Sequence, residues 1–250
     1  MDNIIDLISK SRIVLKDILS TDWNTDDIIE LSPLEIRERY ISKNIDHKIN
    51  FGTASNCNIT LNHLKITNHK LHIIYYNFSE INQNPIKVTK ICCEKIASLY
   101  DDTIEPNDSI LVIMQTQITE SLLKSFESLS KNLYNGLTLE KNISDENDNL
   151  SEENKLSKYN FKNIHIISLH DVIFNKFDHI LMPKCRIIRN EKEKQDILNK
   201  TNSKLNQLPL QLWTDKISQL LLASNGDIIE YKRKTHTAGE NIYYRLCCYS

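Results

Sequence analysis

At 250 residues, with 40% hydrophobic and 26% charged residues, the chain has ordinary globular composition and length for one large domain or two small ones. Its 31 basic and 33 acidic residues leave a net charge of −2, which excludes a surface built throughout as a nucleic-acid clamp. Only 4 glycines occur, too few for a repeated phosphate cradle, and the 6 cysteines form no CxxC pair, which argues against structural zinc and for reduced, intracellular thiols.

The first segment predicts a helix, with Ile4, Ile8, Leu15, Ile18 and Leu19 recurring at helical spacing. A second helix is announced by Ser32 as N-cap, Pro33 at its first position and Glu35 completing a capping box; it should run to about Ser42. The run 70–78 (KLHIIYYNF) is dense in β-branched and aromatic residues and predicts a strand, and 87–100 predicts a helix. The continuous apolar run 109–115 predicts a strand covered on both faces, 119–133 a helix, and 163–169 another buried strand. This alternation favours an α/β domain with a partly parallel, mixed sheet flanked by helices.

Residues 140–158 carry six acidic and three basic residues with few large apolar ones, so a disordered insertion is expected there. The texture changes near Phe177. A strand is predicted over 179–189, a short charged helix over 190–199, a turn at Leu208-Pro209, and an apolar helix over 217–223 capped by Thr214 and stopped at Asn225-Gly226. Two strands, 227–233 and 241–247, complete a small α+β unit. The expected domains are therefore 1–176 and 177–250, the second carrying 12 basic and 8 acidic residues over 178–250.

Catalytic signatures are missing. The sequence has no G-x-S-x-G elbow, no P-loop and no GxGxxG fingerprint. His63, His69 and His72 form the densest histidine group, but no acid lies at ligand spacing, so they are expected to be non-ligand residues. A metal-dependent nuclease would need acids on adjacent strands; 70–78 and 109–115 supply none, and Glu94-Lys95 is the nearest acid–base pair. No catalytic, metal or cofactor residue is assigned. The start, with Asp2 and Asp6, lacks a basic leader, and no apolar run approaches the roughly 20 residues of a bilayer span, so a soluble protein with no membrane partner is expected. The triplet Lys232-Arg233-Lys234 lies on a predicted hairpin arm, where it could meet phosphate or an acidic protein surface, or guard a strand edge.

The segment 226–246 (GDIIEYKRKTHTAGENIYYRL) resembles the signature of the subunit shared by eukaryotic nuclear RNA polymerases I, II and III, which has a shorter archaeal counterpart matching its C-terminal domain. Further matches fall in order: His179, Leu181 and Pro183; Gln207-Leu208-Pro209; Asp215; Gly226-Asp227; Thr237-Ala238-Gly239; and Tyr244-Arg245-Leu246. The N-terminal part resembles the extra domain of the eukaryotic form, with Gln115 to Ser125 lying on a family loop that retains Thr119 and Ser121. This resemblance implies a non-catalytic assembly subunit of a DNA-dependent RNA polymerase. Its C-terminal domain would dock on the largest subunit beside other polymerase subunits. Its N-terminal domain, restriction-nuclease-like without an active site, would form a lower jaw weakly contacting downstream double-stranded DNA.

On that basis Pro183, Leu208, Pro209, Asp215, Gly226, Lys232, Arg233, Thr237, Ala238, Gly239, Tyr244 and Arg245 are the expected interface, with Gln117, Thr119 and Ser121 in a DNA-proximal loop. The chain departs from the family pattern at Gln117 and Glu120 in that loop, and at Cys185, Lys216, Gln219 and Leu222 in the assembly domain. The resemblance places a cellular form in the nucleus; the divergence, with 36 Ile and 27 Asn, also suits a large DNA virus working in a virion or viral factory. The competing functions are a nuclease of the same N-terminal fold and a stand-alone transcription adaptor.

Overall fold

A computed structural model of the chain describes residues 4–42, 49–66, 69–105, 108–144, 164–235 and 239–250. They belong to two compact units, one of Met1–Tyr134 with Lys162–Asn175, the other of Asn135–Phe161 with Lys176–Ser250.

In the first unit, α1 (Ile4–Leu19) buries the stripe Ile5, Ile8, Leu15 and Leu19. The next helix, α2 (Pro33–Ile41), starts at the expected box. The Ser32 amide donates to Glu35 Oε2 at 2.7 Å, and the Glu35 amide donates to Ser32 Oγ at 3.4 Å. Such a cap contributes about 1 kcal/mol. The hydrogen bonds from Ser32 hold the Glu35 carboxyl below its ordinary range.

Four strands follow the order β1 (Ile59–Asn62), β2 (Lys70–Tyr76), β3 (Ser109–Met114) and β4 (Ile164–Ser168). The first pair is antiparallel and the other two are parallel, so the sheet is mixed. All residues of β3 and β4 are buried, the reason their sequences read as unbroken apolar runs. Tyr75 Oη meets Ser11 Oγ at 3.0 Å and ties β2 to α1. The buried Arg12 donates to the carbonyls of Cys57 and Ile29, at 3.3 and 3.2 Å.

Several expectations are corrected here. β1 was not anticipated, because four residues alternating buried and exposed are too short a signal. The strand beginning at Lys70 stops at Tyr76, since Asn77 turns into the left-handed region at φ 51. The helix expected over 87–100 is two pieces, α3 (Ile91–Ala97) and α4 (Leu99–Asp102). The helix after β3 is α5 (Glu120–Ser144), so 140–144, assigned to a disordered insertion, is helical. No proline interrupts that stretch, and its Leu, Glu and Lys are good helix formers. Residues 145–158 lie outside the described residues.

The second unit is a four-stranded sheet ordered β5 (Lys184–Ile188), β7 (Ile228–Thr235), β8 (Gly239–Cys248) and β6 (Leu210–Leu212). β7 is antiparallel to both β5 and β8, and β6 runs parallel to β8. Ile188, Ile228, Leu208 and Ile197 form a core, with Ile197 supplied by helix α6 (Glu191–Thr201). Asn190 Oδ1 caps α6 by accepting from the amides of Lys192 and Glu193.

Here too the local predictions shift. The strand expected over 179–189 begins only at Lys184, because His179–Met182 is a turn: the Met182 amide donates to the His179 carbonyl, and the Leu181 amide to His179 Nδ1. β6, after Leu208-Pro209, was not foreseen. Asp215, not Thr214, caps helix α7 (Lys216–Leu220), accepting from the Ile217 amide at 2.8 Å. That helix ends before Leu222, which takes the left-handed conformation at φ 55; Gly226, at φ 88, serves the turn into β7 instead.

Candidate functional site

The hairpin of the second unit is held at its base by buried charge. Asp227, 1% exposed, lies 3.3 Å from Arg189 Nε and 3.9 Å from Lys194 Nζ, and accepts from the Ser224 amide at 2.8 Å. Burial pushes its carboxyl up, opposed by the two cations. Three residues on, within β7, buried Glu230 receives Arg186 through Nε and Nη2 at 3.0 and 3.1 Å, and Arg186 also reaches Glu193 at 2.7 Å. These carboxylates hold the Arg186 guanidinium above its ordinary value. The two nodes tie β7 and the residue before it to β5, α6 and the link between them.

Beyond this base the hairpin becomes an arm. Ile228 to Tyr231 are buried, whereas Lys232, Arg233 and Lys234 are exposed, as are Gly239 to Ile242 and Arg245 on the returning strand. Tyr231 and Tyr243 stack across the pair at 5.0 Å, with Tyr231 Oη donating to Gln211 Oε1 at 3.2 Å. Arg245 donates to the Leu210 carbonyl at 3.4 Å.

The expected interface residues divide accordingly. Lys232, Arg233, Gly239 and Arg245 come together on the arm, and Gly239 has the positive φ, 70, that favours glycine. Pro209 is exposed beside it, its carbonyl accepting from the Leu246 amide at 2.9 Å. Leu208 is instead part of the core, and Tyr244 packs half-buried against the same cluster. Asp215 is exposed and caps α7; Pro183 is half-buried ahead of β5. Thr237 and Ala238 lie outside the described residues.

The family description "RNA polymerase Rpb5, C-terminal domain" matches residues 174–247. The DNA-directed RNA polymerase subunit Rpo5 of Thermococcus kodakarensis is 47% identical over 73 residues, covering 29% of this chain and 88% of that protein. Its namesake Rpo5 in Methanocaldococcus jannaschii is 44% identical over 69 residues, 28% of this chain and 87% of that one. For Nitrosopumilus maritimus Rpo5 the identity is 43% over 68 residues, 27% and 81% of the two chains. This chain belongs to the Rpb5 family of RNA polymerase subunits.

Against the Rpb5 pattern, the departures acquire physical meaning. Leu222 stands where the pattern has glycine, yet keeps the left-handed turn, at a cost of about 1–2 kcal/mol for a side chain there. Gln219 is buried and donates to the Trp213 carbonyl at 2.6 Å, a role internal to the unit. Cys185, paired across from Tyr231, is pushed up to about 12 by burial and is not a reactive thiol at neutral pH. At the start of α5, the hydroxyls of Thr119 and Ser121 lie 3.3 Å apart, and the Glu120 carboxylate in the first turn pairs with Lys124 at 2.8 Å. Glu120 therefore has its own counter-ion. Gln117 is exposed.

The residues missed from sequence are the ion-pair nodes and one histidine pair. His72 Nε2 lies 3.0 Å from Asp108 Oδ2, and Asp108 Oδ1 accepts from the Lys70 amide at 2.9 Å. This pair clamps the start of β3 to β2, with Thr60 Oγ1 on the other ring nitrogen at 3.2 Å. The charged residues were visible in sequence, but His72 and Asp108 are 36 positions apart and Arg186 and Glu230 are 44, separations that no spacing rule connects. Among the described residues no group of three or more His, Cys, Asp or Glu is placed to hold a metal ion.

Proposed function

We propose that the second unit docks this chain on the largest subunit of a DNA-dependent RNA polymerase, while the first unit forms part of a jaw beside downstream DNA. The chain adds rigid contact area, and bond making belongs to other subunits. The observation that carries this reading is one of coverage: the sequence shared with named polymerase subunits, residues 174–247, falls almost wholly on the unit that bears the exposed arm. Lys232, Arg233, Gly239 and Arg245 are the docking residues, with Pro209 alongside.

For the first unit, a restriction-nuclease-like fold without an active centre is supported by its parallel β2–β3–β4 core and by the use of Asp108 in binding the Lys70 amide and His72. Thr119, Ser121 and Gln117 offer polar groups to duplex DNA, and the pairing of Glu120 with Lys124 reduces the repulsion that a bare carboxylate would exert on phosphate.

The test is recovery of the tagged chain from source cells. Two very large polymerase subunits should accompany it. Gly239→Val, strained by its backbone angle although a Cβ would meet nothing within 4 Å, and Arg245→Ala should each lower that recovery. Undiminished recovery with both variants would remove the arm from the docking surface.

A further inference from the structure

The arm outruns its sheet on one side. β6 pairs with β8 only from Leu246 to Cys248, whereas β8 begins at Gly239. The Leu246 amide donates to the Pro209 carbonyl, away from β7, and the Trp213 amide donates to the Cys248 carbonyl on the same side. Backbone groups alternate along an antiparallel strand, and the β7–β8 register runs without a break from Thr235↔Gly239 to Ile228↔Leu246. The amides and carbonyls of Glu240, Ile242 and Tyr244 therefore face the same open side as that of Leu246. Among the described residues no strand pairs with them there.

We propose that this open edge takes up an extended, acid-bearing segment of a neighbouring polymerase subunit as an added strand. The inference rests on the docking reading above and supplies its chemistry. A row of alternating donors and acceptors is matched by another peptide backbone, which has both. A nucleic-acid backbone has no N–H to give the carbonyls of Glu240, Ile242 and Tyr244, so phosphate satisfies only half of the row. Charge selects the kind of segment. The exposed charged side chains of the arm are Lys232, Arg233, Lys234 and Arg245 against Glu240. Ile242, 45% exposed, shares a face with half-buried Tyr244 and gives the incoming strand an apolar contact between the charges.

Hydrogen exchange of the full chain, free and within the purified polymerase, tests this. In the free chain the amides of Glu240, Ile242 and Tyr244 should exchange fast while those of Asn241 and Tyr243, directed at β7, are protected. In the polymerase the first three should slow at least tenfold. Ile242→Pro removes an amide that pairs with no strand among the described residues, so the urea midpoint should hold while recovery with the polymerase falls at least tenfold; Ile242→Val should retain it. Unchanged exchange at Glu240, Ile242 and Tyr244 in an assembled polymerase would overturn the proposal while leaving docking intact. Protection of the three amides by a short DNA duplex alone would also overturn it. A chain absent from the polymerase altogether would overturn the docking reading itself.

Discussion

Every residue of β3 and β4 in the first unit is buried, whereas in the second β7 runs from a core out into solvent and β8 returns from solvent to the core. The first sheet hides its apolar strands β3 and β4 completely, and its antiparallel edge strand, β1, is short. The second closes a small core around Ile188, Ile197, Leu208 and Ile228, pins it with buried ion pairs, and beyond it exposes Lys232, Arg233 and Lys234. The first unit adds polar ties to that burial, Tyr75 to Ser11 and His72 to Asp108. The second sets the buried Asp227 against Arg189 and Lys194 at the root of the arm.

The largest expected effect is at that root. Asp227→Ala leaves Arg189 and Lys194 facing each other without their carboxylate, and should cost about 3–5 kcal/mol. The two tryptophans, Trp23 and Trp213, are both buried and lie one in each unit, so single Trp→Phe backgrounds report each unit separately in urea unfolding. The Trp213 transition should shift and the Trp23 transition stay; a joint shift would mean that the units unfold as one body and would break the comparison.

The converse substitution, Ile110→Ala in the fully buried β3, should cost about 2–5 kcal/mol and move only the Trp23 transition.

Alkaline pH sharpens the contrast next. Burial pushes Cys57 up to about 11, and Cys92, Tyr40 and Tyr75 up to about 12, all in the first unit. The unfolded chain gives up these protons from about 9 for thiols and 10 for phenols. Because the folded values are raised, the stability from retained protons is complete below pH 9 and is lost as the pH climbs toward 12. The loss should be larger in the first unit, with the wholly buried Tyr75 responsible for about 2 kcal/mol, abolished in Tyr75→Phe.

The smallest effect belongs to the arm: Lys232→Ala and Arg233→Ala should each change stability by less than about 0.5 kcal/mol, measured by the Trp213 transition, while lowering recovery with the polymerase. A large destabilisation would make those residues part of the unit's own fold.

Much of this was legible in the chain itself. The α1 stripe, the Ser32–Glu35 box and the apolar runs of β3 and β4 each declare their structure within one turn or one strand, because capping and burial periodicity are local. The arm was visible as a hairpin ending in a basic triplet, and the resemblance around Gly226 to Leu246 named its family. Short elements such as β1 and β6 were lost because three or four residues cannot establish a period. The cap at Asp215 was missed because Thr214 is an equally good capping residue one position earlier.

Sequence alone determined the longer helices and the buried strands, which faces are apolar, and that the basic triplet Lys232-Arg233-Lys234 sits on a hairpin. Only tertiary structure decided that Asp227 meets Arg189 and Lys194, that His72 meets Asp108, that Leu208 is core, and that β6 pairs with β8 only from Leu246 to Cys248. Periodicity tells a residue which side it must hide, but the identity of what it meets depends on strand order and register, which are set by contacts far apart along the chain.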